Sequence, residues 1–411
     1  PITHPILRSQ SPLHVIGCCV VSDVDVTKEY PLSVDDIQMG CTNSAQVRDC
    51  KEEQQVKKVG AQETRDAALR PPAAIPQNST KVEDLAGTIE EEVNEENSTI
   101  RLLLLGAAES GKTTVLEQIR KLYHQNFTEV ELMHRKTLIF GNIINSMKSM
   151  LDYMEQVNMH LADQNNLANA QVVKDELEGV FTKFNRRQFD ALITLWNDAA
   201  VQEIYERRSE YNLNDSTKYF FDSLERINAL DYRPTPQDLI MVYCPTVGVQ
   251  NVIFTVHDRT YQLFDVGGQK IDRRKWVSMY DGIDAIIFCM AISEYDQKMN
   301  EDGNTNRLHD ALNLLEQVCS EPKFHSTWIF VFLNEVDVLA EKLSKVPIER
   351  NFPDYNGSTK LSDAKAFFES CVMARCSAHP DMLNVEFTCA INTNEMEKIL
   401  EKIFKKHLRM K

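Results

Sequence analysis

G-A-A-E-S-G-K-T (Gly106–Thr113) carries the spacing G-x-x-x-x-G-K-[ST]. Its glycines, Gly106 and Gly111, let backbone N–H groups turn inward at the start of a helix, where unpaired amides attract phosphate. Lys112 is placed to reach the β and γ phosphates of a nucleotide, and Thr113 to hold Mg²⁺ through its hydroxyl. A second stretch, F-D-V-G-G-Q (Phe264–Gln269), offers Asp265 for Mg²⁺ through water and the N–H of Gly268 for a γ phosphate. Gln269 is a candidate to orient attacking water. Alone, this stretch is as readily a strand-ending turn; beside a phosphate loop, the functional reading prevails.

Two further stretches offer groups for a base. F-L-N-E-V-D (Phe332–Asp337) projects Asn334 and Asp337 from one turn. The carboxylate of Asp337 can accept both donors of guanine, at N1 and the 2-amino group. Adenine lacks that pair, and such polar mismatches discriminate by about 10⁴-fold where a site is built for them. F-T-C-A (Phe387–Ala390) places Cys389 and the Ala390 N–H where a guanine oxygen could be met. An ATP-dependent phosphoryl transferase needs another base pocket, and Asn334 with Asp337 speaks against it.

These stretches need elements to position them. I-R-L-L-L-L-G (Ile100–Gly106) reads as a buried parallel strand ending in a tight turn. A helix follows, with Val115, Leu116, Ile119 and Leu122 on its apolar face. Residues 126 to 230 show helical periodicity, and Phe181, Phe184, Phe189, Leu192, Leu195 and Trp196 are expected on one helix face, as core. Strand-like runs then occur at Asn251–Val256, Thr260–Phe264, Ala285–Met290 and Trp328–Leu333. Helical runs alternate with them at Asn306–Cys319, Ala364–Cys371 and Glu395–His407. An all-helical block thus interrupts an α/β domain with a mostly parallel sheet.

The chain has 411 residues, 43% of them hydrophobic, enough for two or three domains with a sizeable core. A net charge of -16 argues against a nucleic-acid partner, which would call for surplus Lys and Arg. No apolar run reaches the roughly 18 residues of a membrane span. The ten cysteines, with no secretory pattern ahead of them, are expected to be reduced thiols, Cys371 and Cys376 included. Residues 1–98, with Pro71-Pro72 and an acidic run from Glu90 to Glu96, are expected to be extended or weakly ordered.

Taken in order, L-L-L-L-G-A-x-E-S-G-K, L-N-D-S, Y-F-F-D-S-L-E-R-I, D-Y-R-P-T-P-Q-D, F-D-V-G-G-Q, R-R-K-W, F-L-N-x-x-D and F-T-C-A resemble the heterotrimeric G-protein α-subunit family. The resemblance covers residues from about 100 to 408, roughly three quarters of the chain. It implies a Ras-like GTPase domain (99–125 and 236–411) with an inserted all-helical domain (126–235), and a nucleotide in the cleft between them. Carried over by position, Glu109, Ser110, Gly111, Lys112, Thr113 and Thr114 bind phosphate, and Thr113 and Thr246 hold Mg²⁺. Asp215 and Ser216 face the nucleotide from the helical side; Asn334, Asp337 and Ala390 hold guanine. Lys275 and Trp276 lie where the second switch meets partners. The resemblance implies a signal transducer cycling between GDP and GTP forms at the cytoplasmic face of the plasma membrane. Its partners would be a βγ dimer and a membrane receptor.

Departures from the family pattern bear on mechanism. Y-C-P-T-V-G (Tyr243–Gly248) puts Tyr243 where the family has its catalytic arginine. Ala108 replaces a glycine beside the γ phosphate. Both point to slow hydrolysis. Glu335 replaces a lysine that packs along the base, which points to weaker nucleotide affinity. A nucleotide-weak pseudo-GTPase scaffold is the alternative reading. M-G-C-T-N-S (Met39–Ser44) matches the family's start, so myristoyl on Gly40 and palmitoyl on Cys41 are expected if the working chain begins at Met39. Pro71-Pro72 would break the family's amphipathic N-terminal helix, which counts against βγ binding. The end Leu408-Arg409-Met410-Lys411 lacks the family's apolar tail, which counts against ordinary receptor coupling.

Overall fold

A computed structural model describes residues 99–246, 248–377 and 381–408. The segment 1–98, with its Met39-Gly40-Cys41 and Pro71-Pro72, and the terminal Arg409-Met410-Lys411 lie outside the described residues.

The four leucines of β1 (Ile100–Gly106) are completely buried. They have partners on both sides and helices on both faces, so every position on the strand faces protein. After β1 the chain enters α1 (Lys112–Leu122), then a run of helices: α2 (Glu129–Gln156), α3 (Asn166–Glu176), α4 (Arg186–Trp196), α5 (Ala199–Glu206), α6 (Thr217–Asp222), α7 (Leu224–Ile227) and α8 (Pro236–Met241). The remaining strands are β2 (Val249–Val256), β3 (Arg259–Val266), β4 (Ala285–Ala291), β5 (Trp328–Asn334) and β6 (Leu383–Phe387). Interleaved with them are α9 (Arg307–Cys319), α10 (Val336–Lys342), α11 (Leu361–Arg375) and α12 (Thr393–Lys402).

The sheet runs β2-β3-β1-β4-β5-β6, with β2 antiparallel to β3 and every other pairing parallel. Side chains alternate across it, as strand geometry requires. Leu103 and Leu105 pack with Phe288 and Leu333 beneath α9 and α11. Leu102 and Leu104 pack with Ile287 and Phe332 beneath α1 and α12. Register aligns Leu104 with Asp265, Gly106 with Cys289, and Ala291 with Asn334. Gly106, Asp265 and Asn334 therefore emerge along one edge, at the carboxyl ends of the strands, where open α/β sheets bind ligands.

The helices between α1 and β2 have a core of their own, including Phe140, Met147, Phe184, Leu192, Trp196 and Phe220. Helix α2 starts at a capping box, Thr128 accepting from the Glu131 N–H and Glu131 reaching back to Thr128. The D-Y-R-P-T-P-Q-D motif has a structural task here. Thr235 caps α8, Pro236 opens it, and buried Asp238 accepts two hydrogen bonds of 2.8 Å from Arg226 as well as bonds from Tyr219 and Tyr232. Against the burial, these donors hold the Asp238 carboxyl down at about 2.

Two expectations need correction. Phe181 and Phe184 do not share a helix with Leu192 and Trp196. Asn185 is extended and accepts from the Gln188 N–H, so α4 begins only at Arg186. Phe184 still reaches the same core, 4.8 Å from Phe140 between ring centroids. Nor is Cys376 a free thiol: it is joined to Cys319 in a disulfide, with Cα atoms 5.5 Å apart. The two residues end α9 and α11, and only the side-by-side packing of those helices brings together positions 57 residues apart. Cys371 is a free cysteine, as expected.

Candidate nucleotide site

The turn from β1 into α1 is shaped by left-handed backbone. Glu109 has φ 62° and Gly111 φ 90°. A Cβ on Gly111 would come within 2.2 Å of the Asn334 amide, so only glycine allows this approach. Gly111 caps α1 without a side chain, and no acidic residue lies in the first turn, which leaves the helix's leading amides free of competing groups. Ser110 Oγ donates to the Ala107 carbonyl at 2.9 Å, and Lys112 Nζ donates to the same carbonyl at 2.5 Å. Lys112 is buried, and burial lowers its pKa. Its ammonium is folded onto the loop, against the Ala107 carbonyl.

Thr113, Thr246 and Asp265 come together although far apart in sequence. The two hydroxyls are 2.8 Å from each other and each is 3.1 Å from Asp265 Oδ2. Asp265 is completely buried, and its Oδ1 has no hydrogen-bond partner. Burial pushes its carboxyl up, opposed by Lys112. Two hydroxyls beside a buried carboxylate with an orphan oxygen form the all-oxygen donor set a hard divalent cation takes. The residues present therefore fit Mg²⁺. Gly268, just past the end of β3, packs on the loop itself, since a Cβ there would meet Lys112 Nζ at 2.4 Å and the Ala107 carbonyl at 2.6 Å.

Gln269 is exposed and lines a cavity of about 200 Å³ together with Ala107, Ala108, Glu109 and Arg307. Tyr243 is half-buried, and Asn142 of α2 clasps its backbone through both N–H (2.8 Å) and C=O (3.2 Å). Its phenol faces the Glu109 carboxylate; burial, then that carboxylate, push the phenol up to about 12. In the loop after Gln269, Arg273 donates to the Gly268 carbonyl (3.1 Å) and pairs with Asp310 of α9 (2.6 Å). Lys275 is exposed, whereas Trp276 is buried and donates to the Gly267 carbonyl at 3.0 Å. Trp276 thus shapes the loop from within.

At the other end, Asn334 is fully engaged. Its amide donates to the Ser110 carbonyl at 3.3 Å, and its Oδ1 accepts from the Ala390 N–H at 2.9 Å and Thr388 Oγ1 at 3.1 Å. Ala390 N–H is therefore not the free donor expected from sequence. Asn334 ties the phosphate loop to the β6–α12 turn, a bond that a tetrapeptide motif does not display. Asp337 is exposed in the first turn of α10, beside the Cys389 thiol. Burial and hydrogen bonding to Asp337 push that thiol up to about 12.

Glu335 has φ 64° and accepts from the Ser293 hydroxyl. Burial, then Asp215 and Glu294, push its carboxyl well above the usual range. Asp215 faces it from the helical block, 3.7 Å from Arg208 Nε, with Ser216 buried behind and held by Asn214. Arg208 also pairs with Glu341 of α10 at 2.9 Å, so helical block and sheet meet here. The sequence reading missed Arg307, Glu294, Asn142 and Asp310. None sits in a recognisable motif, and each reaches the site only through packing.

The model of the G-protein alpha subunit family matches residues 77–407. A guanine nucleotide-binding protein alpha-13 subunit of Caenorhabditis briggsae is 49% identical over 315 residues, 76% of this chain and 90% of that protein. Its Caenorhabditis elegans namesake is 48% identical over 75% of this chain and 88% of its own length. A guanine nucleotide-binding protein G(o) subunit alpha of Locusta migratoria is 35% identical over 74% and 86%. Phosphate loop, hydroxyl–carboxylate group and base-end turn on one sheet edge, with these matches spanning most of the chain, lead to one conclusion: the chain belongs to the G-protein alpha-subunit family.

Proposed function

We propose that this chain is the guanine-nucleotide-binding α subunit of a heterotrimeric G protein, a signal transducer that cycles between GDP and GTP forms and hydrolyses GTP slowly. The alignment of Gly106, Asp265 and Asn334 along one sheet edge carries this reading. In it, residues 99–125 and 236–411 make a Ras-like domain, and residues 126–235 are the inserted helical domain.

Backbone amides from Glu109 to Thr114 and the Lys112 ammonium grip the phosphates. Lys112 exchanges the Ala107 carbonyl for phosphate oxygen. Thr113, Thr246 and, through water, Asp265 would hold Mg²⁺, and the chemistry that ion would supply is neutralisation of phosphate charge. Asp337 accepts the guanine donors, while Asn334, Cys389 and Ala390 frame the base and Asp215 and Ser216 close the cleft. Gln269 orients water. Tyr243 carries no positive charge, so it cannot supply what an arginine supplies there, a factor of about 10³–10⁵ that is established for this class of proteins rather than worked from the geometry. Ala108 adds a methyl group beside the same cavity, and Glu335 puts a carboxyl where the family has a cation. In a working chain that begins at Met39, Gly40 and Cys41 would carry myristoyl and palmitoyl, and two acyl chains hold stably to a membrane where one does not. A receptor and a βγ dimer are the implied partners, at the cytoplasmic face of the plasma membrane.

Titration of the protein with fluorescent GTP, GDP and ATP analogues, with and without Mg²⁺, tests the reading. Guanine nucleotides should bind far more tightly than ATP, with GTP needing Mg²⁺. Preference for ATP, or no binding at all, would refute it.

A further inference from the structure

We infer that Arg307 is a positioning residue for hydrolysis, holding the Glu109 side of the phosphate loop away from the attacking water. The inference rests on the GTPase reading above. Arg307 is the first residue of α9, and its side chain is 8% exposed. A cation at a helix N-terminus opposes the helix dipole, so its placement needs compensation. Two carboxylates provide it: Arg307 Nη2 is 2.7 Å from Glu109 and 2.7 Å from Glu294. The same nitrogen donates to the Ala108 carbonyl at 3.2 Å. One guanidinium thus binds the phosphate loop at two consecutive residues and anchors it to the turn after β4.

Glu109 needs such a partner. Its left-handed backbone puts a carboxylate at the lip of a site built for phosphates. On its other side stands Tyr243, which faces Glu109 but brings no charge. Arg307 also lines the cavity that holds Gln269 and Ala108. Glu109 lines that cavity too; without Arg307 its carboxylate is free to swing across it, repelling the γ phosphate and displacing water from Gln269. Hydrolysis would suffer more than binding, because the amides and Lys112 that grip the phosphates remain.

Glu294 adds a readout that a merely structural role would not give. Burial pushes its carboxyl up to about 7; Glu109 and Asp215 act the same way, while Arg307 and Lys342 oppose. Glu335 faces it as well. Below about pH 7, Glu294 holds a proton and Arg307 serves Glu109 alone. Above it, the guanidinium is shared between two carboxylates and the trio gains a negative charge. Hydrolysis should therefore speed up as pH falls through that value.

The experiment uses the full chain and its Arg307→Gln, Arg307→Lys and Glu294→Gln variants. Single-turnover release of radiolabelled phosphate from GTP is compared with affinity for a fluorescent non-hydrolysable GTP analogue, across pH. Arg307→Gln should slow hydrolysis by roughly tenfold or more while analogue affinity changes much less, with Arg307→Lys between it and wild type. Glu294→Gln should flatten the pH profile near 7. Wild-type hydrolysis in Arg307→Gln overturns the inference alone, as does a hydrolysis loss matched by an equal affinity loss. Wild-type protein that binds no analogue overturns the functional reading first.

Discussion

Replacing Tyr243 by arginine should accelerate GTP hydrolysis by about a hundredfold. Asn142 clasps the backbone at position 243 through main-chain atoms only, so an arginine there inherits the same placement. A unit charge about 4 Å from a transferring phosphoryl oxygen is worth about 4 kcal/mol at an effective dielectric of about 20. That corresponds to about a thousandfold in rate. Glu109 would draw off part of the new charge, although Arg307 already occupies one of its oxygens at 2.7 Å. The Ala108 methyl group also stays in the cavity. These two losses bring the expectation down to about a hundredfold, and Ala108→Gly in the same chain should recover about tenfold. The assay is single-turnover release of phosphate from preloaded radiolabelled GTP, with analogue binding as the control. Hydrolysis at the unmodified rate by a Tyr243→Arg protein that still binds GTP would show that the missing guanidinium is not what limits the reaction.

Glu335→Lys replaces a carboxylate facing Asp215 and Glu294 with a cation, and should slow GDP release by about tenfold or more in a fluorescent-GDP chase; unchanged release would refute the charge argument. Because the Glu335 carboxyl is raised in the folded protein, its ionisation costs stability as pH climbs above the ordinary glutamate range. The melting advantage of Glu335→Gln should therefore be absent in acid and grow toward alkaline pH, and a difference that shrinks would contradict the assignment. The Cys319–Cys376 disulfide closes a 57-residue separation, so Cys376→Ser should lower unfolding free energy by about 2–4 kcal/mol in denaturant melts, with wild-type protein under reductant falling by a similar amount. Glu117 of α1 and Arg135 of α2 form an ion pair buried on both sides. Arg135→Met should destabilise by about 3–5 kcal/mol, and adding Glu117→Leu should restore most of it, because the stranded charge is what costs.

The candidate groups of the proposed site were legible in the sequence because their spacing is local. A phosphate loop needs two glycines, a lysine and a hydroxyl within eight residues, and backbone geometry imposes that spacing wherever the chain folds. The four leucines of β1 likewise announced a strand covered on both faces, since only that setting hides them all. The elements at Arg307–Cys319, Ala285–Ala291 and Trp328–Asn334 lie within a residue or so of their apolar runs. Elsewhere local pattern misled. The spacing of Phe181 and Phe184 imitated a helix face that the Asn185 cap cuts short. Free thiols were expected where packing of α9 on α11 joins two of them.

What the sequence determined by itself was the set of candidate groups: a glycine-rich loop with its lysine, the hydroxyls and carboxylate proposed for a cation, the aspartate proposed to read the base, and the absence of an arginine at position 243. The tertiary structure decided what those groups are attached to. It committed the Ala390 N–H to Asn334, set Asp215 where its charge acts on Glu335, and brought Arg307 from a distant helix onto the glycine-rich loop. These are contacts between residues dozens to hundreds of positions apart. They depend on how helices and strands pack, and no short run of residues encodes them.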